Sequence, residues 1–249
     1  MADGLRAIGG GQGPGLLLLL HGLGATADVW TPLAPVLADS WPGRWTAVDL
    51  PGHGGSPPLP HHVSFGALAA AVADALPADE PVVVLGHSLG GVVGLALASG
   101  WFGVRVASVV GLGIKAVWSP DELARAAALA ARPVSWCDTR AEAAARHLRV
   151  SGLAGLCGPD DDLVSAGLRE QDGRWRLALD PRSFGVGAPD LPGLVAAARA
   201  PVVLARGEHD AMVTTEQLAD VVPGPVVLPG CGHNAHVERP ELVAQLLSG

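Results

Sequence analysis

The segment Gly86-His87-Ser88-Leu89-Gly90-Gly91 constrains the fold more than any other part of the chain. Before it runs the apolar stretch Pro81-Val82-Val83-Val84-Leu85, and after it the small-residue stretch Val92-Val93-Gly94-Leu95-Ala96-Leu97-Ala98. A buried strand must therefore turn sharply into a helix, with a serine at the apex and glycines where side chains would collide. The Gly-x-Ser-x-Gly spacing lifts a hydroxyl above the end of a sheet. The helix that starts there offers free backbone N–H groups to negative charge. A glycine-rich turn with an incidental serine explains neither the strand before nor the helix after it.

Short apolar runs recur along the chain, separated by helical patterns. Strands are expected at Gly15–Leu20, Trp45–Leu50, Val82–Leu85, Val104–Leu112, Val202–Arg206 and Val226–Leu228. Several are apolar on both alternating faces, as strands covered by helices on both sides must be. Helices are expected at Asp28–Ala38, Ser64–Leu76, Leu89–Ser99, Thr214–Val221 and Pro240–Leu247. This alternation implies an α/β fold with a mostly parallel, doubly wound sheet and right-handed crossovers. A chain of 249 residues suits one such domain. The glycine-rich first fourteen residues supply one short strand at most.

The alternation breaks between Ile114 and Pro192. Helical patterns at Pro120–Ala131, Arg140–Leu148 and Asp161–Gln171 are followed by the extended run Trp175–Leu179. An insertion this long carries structure of its own. Residues 114–191 are therefore expected to form a helical lid over a core made of residues 1–113 and 192–249. Trp118 and Trp136 give this lid its largest apolar surfaces and are expected to line a substrate pocket. The run Asp160-Asp161-Asp162 reads as a helix N-cap rather than a calcium loop.

A serine hydroxyl is a weak nucleophile near neutral pH and needs an adjacent base. Gly230-Cys231-Gly232-His233 follows the last strand and offers His233. The base needs an acid to fix its tautomer, and Gly207-Glu208-His209-Asp210, after the penultimate strand, offers Asp210, with Glu208 as runner-up. The order Ser88, Asp210, His233 is nucleophile, acid, base, each just beyond a strand end. A tetrahedral intermediate also needs donors aimed at its oxyanion, and these are expected from the backbone N–H groups of Leu23 and Leu89. His53 reads as a hydrogen-bond organiser, His87 as turned away from the nucleophile's side, and His236 as support for the His233 loop. Cys231 reads as packing.

Composition excludes other classes. A net charge of −8 with no basic run disfavours nucleic acid as a partner. Cys137, Cys157 and Cys231 show neither a disulfide framework nor metal-ligand spacing, which suits a reducing compartment. His61-His62 lacks a third ligand at useful spacing, so no metal is expected. Leu16–Leu20 is too short for a signal or membrane segment. A cytoplasmic protein without cofactor or membrane span is expected.

These residues resemble the lid-bearing serine hydrolases of the α/β-hydrolase fold family. The resemblance rests on the serine elbow, His21-Gly22, Asp49-Leu50-Pro51-Gly52-His53-Gly54-Gly55-Ser56, Gly207-x-x-Asp210 and Gly232-His233-Asn234-Ala235-His236-Val237-Glu238-Arg239-Pro240. It also includes Asp172-Gly173-Arg174-Trp175 through Asp180-Pro181, similar to the strand and turn that often close the lid. The resemblance implies a lid inserted after the sixth strand of the fold. It further implies hydrolysis of a small, largely uncharged carboxylic ester or related acyl compound through an acyl-enzyme. Two departures stand out. The N-terminal segment is short for the early antiparallel strands, and Val92 stands where relatives handling succinyl-type anions often carry arginine. Lactonase, thioesterase and carbon–carbon hydrolase activities share the same machinery, and a slow-turnover ligand receptor is the alternative of another class.

Overall fold

The computed structural model describes residues 4–77 and 79–247. Among these residues nine strands occur in chain order: β1 (Ala7–Gly11), β2 (Leu16–Leu20), β3 (Arg44–Val48), β4 (Val82–His87), β5 (Val106–Leu112), β6 (Leu168–Gln171), β7 (Arg174–Leu177), β8 (Val202–Gly207) and β9 (Val226–Leu228). Seven form one sheet in the order β1-β3-β2-β4-β5-β8-β9. Every neighbouring pair in it is parallel except the edge pair β1–β3. β6 and β7 pair separately as an antiparallel hairpin.

β2 is five consecutive leucines, all buried. Alternation along the strand divides them between two cores. Leu16, Leu18 and Leu20 pack with Val82, Val84 and the helix Leu89–Ala98. Leu17 and Leu19 pack on the opposite face with Trp30, Leu33, Leu37 and Val243. A strand buried on both faces needs this unbroken apolar run. The chain leaves β2 for β3 on one side and returns to β4 on the other, so a crevice opens at the carboxyl ends of β2 and β4. Leu23 lies just beyond one of those ends and Ser88 just beyond the other.

Several expectations need correction. Counted in chain order the insertion follows β5, the N-terminal segment supplying a single antiparallel strand before the parallel ones. Residues 114–191 are not wholly helical. Helices Pro120–Ala130 and Arg140–Val150 are present, but the pattern Asp161–Gln171 resolves into a short helix, Asp162–Ser165, and strand β6. Asp161 occupies the N-cap position, yet its carboxylate turns back to accept from the Gly158 N–H at 2.6 Å. The expected helix Asp28–Ala38 begins as the 3-10 turn Ala27–Leu33, which contains Pro32, before the α-helix Ala34–Ser40. Among the described residues no helix is long and apolar enough to cross a membrane.

Candidate active site

Ser88 connects β4 to the helix Leu89–Ala98 with φ 49 and ψ −114, a conformation costly for any residue with a Cβ. Its N–H donates to the Leu112 carbonyl at 2.8 Å, and its carbonyl accepts from the N–H groups of Gly91 and Val92. The flanking glycines are demanded by space. A Cβ on Gly86 would lie 2.3 Å from the Gly90 oxygen, and one on Gly90 would lie 2.2 Å from the Leu20 oxygen. Backbone pressed against backbone leaves no side chain to yield.

His233, just beyond β9, meets Asp210, just beyond β8. The Nδ1 atom of His233 lies 3.0 Å from Oδ2 and 3.1 Å from Oδ1 of Asp210. A carboxylate accepts, so Nδ1 carries the proton and Nε2 keeps its lone pair. The Asp210 side chain has no exposed surface, while His233 is about a quarter open at 24%. The Met212 N–H donates to Asp210 Oδ1 at 2.8 Å. Arg206 clamps the loop by donating to the carbonyls of Glu208, Asp210 and Val213 at 3.1, 3.0 and 2.8 Å. Glu208 accepts from the Gly230 N–H instead of facing the histidine. Gly113, at φ 63, lets the end of β5 pass beside the pair, where a Cβ would come within 3.2 Å of the imidazole.

Leu23 and Leu89 border the same cavity as Ser88 and His233, and neither backbone N–H donates to another protein group among the described residues. His21 anchors the Leu23 loop: its Nε2 accepts from the Leu50 N–H at 2.9 Å, leaving Nδ1–H for the Gly22 carbonyl at 2.8 Å. Burial lowers the His21 pKa to about 4. His53 is buried beside it with ring centroids 5.0 Å apart and lies outside the cavity. The Ser88 hydroxyl makes no hydrogen bond to His233 in this conformation.

His87 departs from expectation. Ser88 breaks the extended backbone, strand alternation ends there, and His87 borders the cavity. Its Nε2–H donates to the His233 carbonyl at 3.0 Å, and the two rings stand 4.6 Å apart. Burial, reinforced by the neighbouring His236 and His233 rings, holds its pKa well below the ordinary histidine range. His236 is wholly buried between Trp30 and His87, and burial lowers its pKa to about 3. Neither of its ring nitrogens has a hydrogen-bond partner. Cys231 is also buried, in the core on that side of the sheet.

The cavity over Ser88 measures about 590 Å³. Its walls are largely apolar and include Phe65, Ile114, Trp118, Leu123, Phe184, Val186 and Met212. Trp118 is fixed by its Nε1–H donating to the Lys115 carbonyl at 3.3 Å and by the Lys115 ammonium 5.4 Å above its ring. Lys115 pairs with Glu122 at 2.9 Å. Hydrogen bonding from the Ser119 backbone, then from Lys115, lowers the Glu122 pKa to about 2. Trp136 must be reassigned. It lines a separate cleft beside the hairpin, because Cys137 bridges Trp175 on β7 and carries Trp136 away from Ser88. Phe65, Phe184 and Met212 were missed by sequence reasoning, since they come from distant segments with no common spacing. Among the described residues, no group of three histidine, cysteine or acidic side chains is placed to hold a metal.

Comparison with known proteins adds three findings. Residues 17–246 match the family described as the alpha/beta hydrolase family. Pimeloyl-[acyl-carrier protein] methyl ester esterase from Neisseria meningitidis serogroup A is 47% identical over 81 residues, which is 32% of this chain and 24% of that protein. The match thus spans about a quarter of that relative's length. Among solved structures, the thioesterase domain from the curacin biosynthetic pathway shares a TM-score of 0.79 at 20% identity, covering 98% of this chain and 94% of that one. E-2-(acetamidomethylene)succinate hydrolase gives 0.79 at 24% identity, covering 98% and 93%. At these identities the two structures show a shared fold.

Proposed function

We propose that this chain, which belongs to the alpha/beta hydrolase family, is a serine hydrolase that cleaves a small-molecule carboxylic ester through an acyl-enzyme. One observation carries this reading: Ser88, the Asp210-bonded His233 and two residues with unengaged backbone N–H groups, Leu23 and Leu89, line one apolar cavity. The name of the methyl ester esterase relative supports an ester as substrate.

In the proposed reaction His233 Nε2 takes the Ser88 proton as Oγ attacks the ester carbonyl. Asp210 stabilises the resulting imidazolium, and the Leu23 and Leu89 N–H groups receive the oxyanion. Collapse breaks the bond to the alcohol, which leaves with the proton from His233. Water, deprotonated by His233, then attacks the acyl-enzyme; the acid is released and the proton returns to Ser88. No cofactor enters this balance. Residues 114–191 act as a lid whose wall, Trp118 included, holds the acyl group and excludes water. A fluorophosphonate probe is expected to label Ser88, and Ser88→Ala to lower ester turnover by about three or more decades. Labelling of a different serine, with Ser88→Ala still active, would remove the nucleophile assignment.

A further inference from the structure

The hairpin sets Arg169 on β6 directly opposite Arg176 on β7. Like charges at opposed positions destabilise an antiparallel pair. Both side chains are half-buried, and neither forms an ion pair among the described residues. Among the described residues each guanidinium hydrogen-bonds through Nη1 alone. Arg169 donates to the Leu168 carbonyl at 2.8 Å, with Ala166 at 3.5 Å, and Arg176 donates to the Leu177 carbonyl at 3.1 Å. The carboxylates of this region are already engaged: Asp180 by Arg182 at 2.7 Å, Asp138 by Arg174 at 3.4 Å, and Glu170 by the Gly173 N–H at 2.7 Å. Two cations at opposed positions on one face of the hairpin, neither ion-paired among the described residues, favour an anion between them, while Asp180, which also lines the cleft beside Trp136, is taken up by Arg182.

Both arginines line a cleft of about 430 Å³, separate from the cavity over Ser88. Trp136 forms another wall, with the Arg176 guanidinium carbon 5.6 Å from its ring centroid. Cation–π contact of this kind orients the fork while leaving its edge N–H groups free. Gln171 adds an amide, and Val134, 42% exposed, adds apolar surface. We propose that this cleft binds a small organic phosphate, with the phosphate between Arg169 and Arg176 and an apolar body against Trp136 and Val134. A phosphate has three acceptor oxygens and nearly two charges, enough for both forks at once. A carboxylate lies in one plane and saturates one fork.

Titration calorimetry on the full chain tests this with phenyl phosphate, inorganic phosphate and phenylacetate. Phenyl phosphate is expected to bind one site saturably, with phenylacetate weaker by about tenfold. Arg169→Gln and Arg176→Gln should each weaken phenyl phosphate by about tenfold or more, the effect of losing a charge-assisted hydrogen bond. Trp136→Ala should weaken phenyl phosphate and spare inorganic phosphate. In phosphate-free buffer, either Arg→Gln change should raise the thermal midpoint by relieving the opposed charges, which also certifies folding. Unchanged affinity in folded Arg→Gln variants, absence of saturable binding, or equal affinity for phenylacetate would each overturn the proposal.

Discussion

His147 offers a sharp test of how burial sets the acid stability of the segment over Ser88. It lies in the helix Arg140–Val150, one turn after Ala143 and Ala144, and is only 1% exposed. Neither ring nitrogen has a hydrogen-bond partner. The ring presses on Gly167, where a Cβ would lie 2.0 Å from Cε1. Burial lowers its pKa to about 4. The helix dipole favours a C-terminal imidazolium by about 0.3–1 kcal/mol, too little to offset that burial. The native state thus binds fewer protons than the unfolded chain between about pH 4 and the ordinary histidine pKa of about 6.5, so stability falls as pH drops through this window. The shift gives a loss of about 2 kcal/mol by pH 5 and about 3 kcal/mol once pH is below 4. His147→Leu fills much the same volume and removes two unsatisfied polar atoms. It is expected to stabilise by about 1–3 kcal/mol near pH 7, and by about 2 kcal/mol more near pH 5. Urea unfolding at the two pH values reads both quantities. A packing cost shifts both equally, so an advantage that does not grow on acidification would refute the protonation account.

Other variants probe the candidate site. Asp210→Asn is expected to keep the fold but lower turnover by about four decades, because an amide supports the wrong imidazole tautomer; Glu208→Gln should retain turnover, and the reverse pattern in ester kinetics would move the acid to Glu208. Trp118→Ala should shift the acyl-length profile while Trp136→Ala leaves it unchanged, since only Trp118 borders the cavity; a specificity panel on folded variants decides. Gly22→Ala would drive a methyl to within 2.7 Å of His87 Nδ1, so the Leu23 donor should be displaced. Turnover is then expected to fall by about two decades, as for loss of one oxyanion donor, with a smaller effect on KM.

The sheet and the three converging side chains were legible because each depends on a local constraint. β2 and β4 had to be apolar on both faces, and Asp210 and His233 each follow a strand end. The hairpin was legible only in part. Asp172-Gly173 is a two-residue turn signal, and both residues have positive φ, 52 and 75. A helical pattern running to Gln171 obscured the strand before it. The position of Trp136 was not legible, since it depends on the pairing of Cys137 with Trp175 across nearly forty residues of chain. Long-range pairing leaves no periodic trace near the residue it places.

Two non-glycine residues adopt positive φ among the described residues, Ser88 and Asp172, and they do so for different reasons. Asp172 occupies a hairpin turn, where aspartate tolerates left-handed backbone and the flanking strands need it. Ser88, at ψ −114, lies outside the small left-handed helical region, a conformation that costs about 1–3 kcal/mol. Its own N–H and carbonyl are held by Leu112, Gly91 and Val92, and the close approach of Gly86 to Gly90 leaves no alternative path. A strained backbone fixed from both sides needs no reorganisation to present its hydroxyl. That requirement is what places glycines at 86 and 90.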